Sequence, residues 1–296
     1  MSIHPERSTA GMLLRLRSLL FVPGDRPERM EKALALGADA LILDLEDAVD
    51  PADKEMARRA IAAMLARADR KLPLLVRVND NGSDEQGPDI AAIALLRPDA
   101  YVLPKTESGR DIEQFRARLD RHGISDARIL PITAETPDAF FGFQSYAAIK
   151  GSLAGLTWGA EDLSAALGMH EGRFPDGTLP APLELARSLT LVASKSADIP
   201  AIETVFANFR DLDGLRRVAH RARSDGFTGM LAIHPAQVPV INEVFTPSAE
   251  DLARAREIVA IFSKSSGVGA VAFEGRMLDL PHLKKARQLL ALVESE

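Results

Sequence analysis

The run Ala40-Leu41-Ile42-Leu43-Asp44-Leu45-Glu46-Asp47 decides the fold. Its first four residues are apolar without alternation. A strand buried on both faces reads this way, and such strands belong to parallel sheets covered by helices. The acids that follow mark the point where the chain leaves the buried layer.

The same pattern recurs on either side. Upstream, Leu19 to Val22 is a short apolar run closed by Pro23-Gly24, followed by a helix near 27–36. Pro27 is tolerated in its first turn, and Gly37 stops it. Downstream comes a charged, Ala-rich helix near 54–68. Further strands are expected at 72–78, 100–103, 128–133, 153–158, 202–206 and 230–233. Between and after them, helices are expected near 90–96, 111–122, 138–149, 183–197, 213–224 and 238–245. Strands separated by helical crossovers imply a parallel sheet. Eight such units in about 245 residues predict an α/β fold, a TIM (β/α)8 barrel. A doubly wound open sheet is the alternative. The barrel is expected over 1–246, with a short N-terminal tail. Residues 247–296 read as a C-terminal extension: a helix, a Gly/Ser linker with hinge freedom at Gly267 and Gly269, and a terminal helix, together suited to a lid.

Composition narrows the chemistry. The chain has 296 residues and no cysteine, so thiolate metal sites, disulfides and cysteine nucleophiles are excluded. Lys and Arg number 36 against 42 Asp and Glu, a net charge of −6. That acidity argues against nucleic-acid binding, which needs a basic surface. The longest apolar runs fall far short of a membrane span. Arg15 and Arg17 interrupt the apolar start and spoil a signal-peptide core. The expected location is the cytoplasm.

Charge collects at the C-terminal ends of the expected strands: Asp44, Glu46 and Asp47; Arg77 and Asn79; Lys105; Glu135; Glu161 and Asp162; Glu203; His234. In a barrel these ends converge on one face, the usual active-site face. Glu135 and Asp162 follow neighbouring strands. Two carboxylates this close repel unless a proton or cation joins them, and a hard divalent ion such as magnesium suits oxygen ligands. Alternatively, each caps the helix that follows it. Arg77, at the end of a buried strand, needs an anionic partner, either an internal acid such as Glu46 or a substrate carboxylate held bidentately. Lys105 reads as an ion pair with one of the acids or as a Schiff-base lysine. No histidine spacing suggests a metal site, and His234 reads as a structural hydrogen-bonder. Neither a Walker loop nor a nucleophile elbow is present.

Several stretches together resemble a known family. They are Ser18-Leu19-Leu20-Phe21-Val22-Pro23-Gly24, Leu43-Asp44-Leu45-Glu46-Asp47-Ala48-Val49, Val76-Arg77-Val78-Asn79 and Leu103-Pro104-Lys105. Ala134-Glu135-Thr136, Trp158-Gly159-Ala160-Glu161-Asp162-Leu163, Ile233-His234-Pro235-Ala236-Gln237 and Gly275-Arg276-Met277-Leu278-Asp279 follow in the same order. In register over about residues 18–290, they are similar to the citrate lyase β-subunit-like proteins of the HpcH/HpaI aldolase superfamily, the CoA ester lyases.

That resemblance implies a TIM barrel with a C-terminal extension, assembled as a homotrimer or hexamer. It implies Mg2+ held by Glu135 and Asp162, and coenzyme A as part of the substrate. Arg77 would bind the 2-oxo acid oxygens, and Glu135, Gly159 and Ala160 would line the substrate. Asp44, Glu46, Asp47 and Lys105 would surround the metal's waters. Asp279 would act on the acetyl carbon from a lid reaching a neighbouring subunit. The implied reaction is magnesium-dependent cleavage of malyl-CoA or citramalyl-CoA to acetyl-CoA and a 2-oxo acid. The alternative is the β subunit of a citrate lyase complex, acting on a citryl thioester of an acyl carrier protein. Two departures bear on the pocket. Glu203 stands where the family more often has Asp, and Pro137-Asp138-Ala139-Phe140-Phe141 is bulkier than the usual small-residue stretch.

Overall fold

The computed structural model describes residues 16–174, 177–264, 270–273 and 276–294. The expected N-terminal tail and glycine hinge fall largely outside these ranges. The chain divides into two compact units, 1–245 and 246–296.

The first unit is a ring of parallel strands: β1 (Ser18–Pro23), β2 (Ala40–Asp44), β3 (Leu74–Arg77), β4 (Ala100–Thr106), β5 (Ile129–Thr133), β6 (Thr157–Trp158), β7 (Ile202–Glu203) and β8 (Gly229–Ala232). They pair in the order β6-β5-β4-β3-β2-β1-β8-β7. A parallel bridge between Leu156 and Ala201 joins the two ends, so the sheet closes as a barrel. Helices α1 (Pro27–Ala33), α2 (Lys54–Leu65), α3 (Gln86–Ile93), α4 (Gly109–Asp120), α5 (Ala160–Ala166), α6 (Ala181–Ala197), α7 (Leu212–Asp225) and α8 (Gln237–Phe245) intervene or follow.

Side-chain alternation builds two cores. Leu19, Ala40, Ile42, Leu75, Val102, Leu130, Ile132, Ile202 and Leu231 fill the barrel interior. Their neighbours Leu20, Leu41, Leu43, Val76, Tyr101, Leu103 and Met230 point outward into the larger layer beneath the helices. The unbroken apolar run at 40–43 is thus buried on both sides.

Three local expectations change. The helix expected at 138–149 is instead two 3-10 segments, Pro137–Phe141 and Phe143–Ser152. Tertiary contacts override the helical pattern: Gly142 backs directly onto the Glu107 carbonyl, and the Gly109 N–H donates to Ser145 Oγ at 2.7 Å. The sixth strand is only two residues long, with an isolated bridge at Leu153. Helix α5, directly after β6, was not expected; Glu161 and Asp162 in its first turn suit the positive end of the helix dipole.

The second unit packs helix α9 (Ala249–Lys264) and helix α10 (Leu280–Glu294) with an antiparallel hairpin, β9 (Ala270–Phe273) and β10 (Arg276–Asp279). Phe262, Leu278 and Leu283 form its core.

Candidate active site

The barrel mouth is built from the last residues of β2 to β6. Strand alternation turns Asp44 and Arg77 inward, in register with one another. Arg77 Nε and Nη2 donate to the two Asp44 carboxylate oxygens at 2.7 and 2.6 Å. Its Nη1 also lies 2.7 Å from Glu46 Oε2, and its guanidinium sits over the Phe21 ring at 4.9 Å. The internal acid expected as a partner is therefore present, and Asp44 joins it. This clamp fixes the guanidinium plane and still leaves N–H donors on Nη1 and Nη2 for a further anion.

Lys105 is ion-paired, as the acids around it suggested: its Nζ lies 2.8 Å from Glu46 Oε1. The Glu46 partner favours the charged form of the Lys105 ammonium. Asp47 is further off, 3.8 Å from Arg77. Burial raises the Glu46 carboxyl to about 7, against the opposing fields of Arg77 and Lys105.

The backbone beneath this cluster is strained. Lys105 and Ala134, at the ends of neighbouring strands, both sit in the left-handed region, with φ of 52° and 54°. Non-glycine residues pay about 1 kcal/mol or more for that conformation. The turn at Lys105 aims its main-chain N–H at the Glu135 carboxylate. Glu135 is buried, so this bond, rather than a helix cap, is its protein partner. On its other side it lies against Gly159, where any Cβ would collide with the Glu135 side chain.

Burial pushes Glu135 up to about 8, and the negative charges of Glu46 and Asp162 add to the rise. Among the described residues, no Lys or Arg forms an ion pair with Glu135, and no hydrogen bond or ion pair engages the Asp162 side chain. Asp162 sits in the first turn of α5. A buried carboxylate crowded by two others is the arrangement a hard divalent cation relieves. The donor set fits such an ion. Among the described residues, no three acids or histidines converge to hold it alone, so other oxygens must complete its shell.

Sequence reasoning missed several supports. Lys54 is buried, and its ammonium donates to the Leu45 and Glu46 carbonyls and to Asn79 Oδ1 at 2.7, 2.9 and 3.0 Å. It thereby pins the loop that carries Glu46. Asn79 in turn donates to Asp89, which pairs with Arg58 at 2.8 Å. A lysine at the start of a charged helix gives no sequence hint of this role. Glu203 turns away from the mouth: it accepts from Trp158 Nε1 and Arg187 Nε at 2.7 and 2.6 Å. His234 makes a local hydrogen bond, its Nδ1 accepting from the Ala236 N–H, and stacks on Phe209.

In the second unit, Asp279 ends β10 and is half-exposed, with Oδ1 2.6 Å from His282 Nδ1. That histidine lowers the Asp279 carboxyl from its ordinary value.

Comparisons with known proteins show which chains this one is similar to. The chain is 33% identical over 284 residues to a (3S)-malyl-CoA thioesterase of Cereibacter sphaeroides, covering 94% of this chain and 95% of that one. It is 32% identical over 296 residues to the mitochondrial citramalyl-CoA lyase of Rattus norvegicus, covering 94% and 86%. In structure it matches CitE of Mycobacterium tuberculosis in complex with magnesium, acetoacetate and coenzyme A, with a TM-score of 0.80, 35% identity, and 95% and 99% coverage. The model of the family HpcH/HpaI aldolase/citrate lyase matches residues 17–235, and the chain belongs to that family.

Proposed function

We propose that this protein is a magnesium-dependent carbon–carbon lyase that cleaves a 3-hydroxyacyl-CoA of the malyl-CoA or citramalyl-CoA type to acetyl-CoA and a 2-oxo acid. The observation that carries this reading is the buried Glu135, which feels the negative charges of Glu46 and Asp162 and, among the described residues, forms no ion pair, close to the clamped Arg77. Relatives named for CoA thioester chemistry, and a structure holding magnesium with coenzyme A, support it.

Glu135 and Asp162 would hold the ion, which when bound supplies Lewis-acid polarisation of the hydroxyl and carboxylate oxygens. Arg77, held in plane by Asp44, binds the substrate carboxylate bidentately and offsets negative charge that grows on the departing 2-oxo acid. Lys105 and Arg77 keep Glu46 positioned at the rim. Gly159 and Ala160 admit substrate close to the backbone at the start of α5. In cleavage a base takes the hydroxyl proton as the carbon–carbon bond breaks, and Asp279 returns a proton to the enolate carbon; in condensation Asp279 removes that proton. Held ionised by His282, it suits proton removal in the condensation direction. The second unit would serve as the lid in a trimer or hexamer, excluding water from the enolate.

Hydrolysis of the thioester is the second reading, favoured by the thioesterase name of one relative. The purified chain, assayed alone with malyl-CoA, citramalyl-CoA and citryl-CoA, tests the proposal. Cleavage of a free CoA thioester to acetyl-CoA supports the lyase. Activity that appears only with a carrier protein and companion subunits indicates a citrate lyase subunit instead.

A further inference from the structure

Lys54 stands where a lysine is disfavoured twice over. It is the first residue of α2, at the positive end of the helix dipole, and its side chain is buried. Among the described residues, no carboxylate forms an ion pair with it; its partners are neutral oxygens. A buried ammonium without a counter-ion costs stability unless its donors are satisfied. Here all three are, by the Leu45 and Glu46 carbonyls and by Asn79 Oδ1.

The partners of Lys54 are themselves fixed. Asp89, fully buried, accepts from the Asn79 main-chain N–H and from its Nδ2 at 2.9 and 2.7 Å. Asn79 Nδ2 also donates to the Leu45 carbonyl at 3.0 Å. Two acceptors on that side leave the amide one orientation, with Oδ1 turned to Lys54. Arg58, one turn beyond Lys54 on the same face of α2, donates to the other oxygen of Asp89. A chain of bonds from Arg58 through Asp89 and Asn79 to Lys54 therefore ends on the backbone that carries Glu46. From the barrel side, the Asp44 carboxylate accepts from the Glu46 and Ala48 main-chain N–H groups at 2.9 and 3.2 Å. The turn is gripped between Asp44 and Lys54, and at its tip one Glu46 oxygen meets Arg77 while the other meets Lys105.

We propose that Lys54 is a positioning residue for the reaction: it fixes the Leu45–Glu46 backbone and so aims the Glu46 carboxylate between Arg77 and Lys105. Methionine would fill nearly the same space with no buried charge, so folding alone does not call for a lysine here. A carboxylate that must meet two cations at once does call for one, because a shift of about 1 Å in its backbone would break one of the two contacts. The kinetic part of this inference rests on the lyase reading; the effect on the turn does not.

Hydrogen exchange and steady-state kinetics on Lys54→Met test it together. In the full chain without substrate, amide exchange over 44–49 should speed up about tenfold, while β3 and β4 keep their protection. With whichever CoA thioester the parent chain cleaves, kcat should fall about tenfold and KM should change little. Glu46→Gln separates a role through Glu46 from a general loss of stability. Adding Lys54→Met to Glu46→Gln should lower kcat by less than about twofold further. Should Lys54→Met not fold, Lys54→Gln, which keeps two donors, takes its place, with smaller changes in the same directions. Unchanged exchange over 44–49 overturns the inference. So does a full tenfold loss from Lys54→Met in the Glu46→Gln background, and so does failure of both Lys54 variants to fold, which assigns the lysine to the fold alone. A parent chain that cleaves no thioester would sink the lyase reading instead and leave the exchange result to decide Lys54.

Discussion

The main-chain N–H of Lys105 donates to the buried carboxylate of Glu135 across the ends of β4 and β5. It can do so only because Lys105 takes a left-handed conformation. The site thus spends backbone strain to hold one carboxylate in place, and the residue facing that carboxylate, Gly159, must lack a side chain.

Gly159→Ala is therefore predicted to act through Glu135. A Cβ there collides with the Glu135 side chain and displaces it, while the short helix behind still forms. The magnesium needed for half-maximal activity should rise about 10- to 100-fold. A magnesium titration of activity checks this, and an unchanged requirement would separate Glu135 from the metal.

Arg77→Lys keeps the charge but loses the bidentate bond to Asp44 and the stacking on Phe21. The ratio kcat/KM should fall about 100-fold, with most of the loss in kcat if Arg77 meets charge that develops during cleavage. Steady-state kinetics on the folded variant decide it. A loss confined to KM would make Arg77 a binding residue only.

Stability should depend on pH in a direction set by Glu135 and Glu46. Both are raised in the folded chain, to about 8 and about 7, from an ordinary value of 4.5. Stability from their proton-bound forms is full below the ordinary value and is lost as pH rises through 7 to 8. Magnesium favours the ionised carboxylate, so it should flatten that decline and bind more tightly as pH rises toward 8. Thermal melts from pH 5 to 9, with chelator and with magnesium, provide the check; identical profiles would contradict it.

Asp279→Ala should abolish turnover while leaving magnesium binding near normal, since no metal ligand is touched. His282→Ala removes the partner that holds Asp279 ionised. The acid limb of the condensation-direction pH profile should then move to higher pH. Surviving turnover in Asp279→Ala would remove the residue from the chemistry.

The fold was legible because both-faced burial leaves an unbroken apolar run, as at 40–43, and most strand ends after the first were marked by a charge. Asp44, Arg77, Lys105 and Glu135 were legible for the same reason. Lys54 was not, because a buried ammonium satisfied by carbonyls looks in sequence like any helix-surface lysine. Gly159 was named as lining the substrate only through the family resemblance; the collision that makes a glycine necessary there exists only once β5 and α5 are brought together. The 137–152 segment misled because its pattern suits a helix, while the contact of Gly142 with Glu107 forbids one.

The most direct test of the central claim is product analysis of the purified chain with malyl-CoA and citramalyl-CoA, with and without magnesium. The account predicts acetyl-CoA and glyoxylate or pyruvate in equal amounts, with formation abolished by chelation and restored by added magnesium. Release of free CoA with intact malate or citramalate, or cleavage indifferent to chelation, would contradict it.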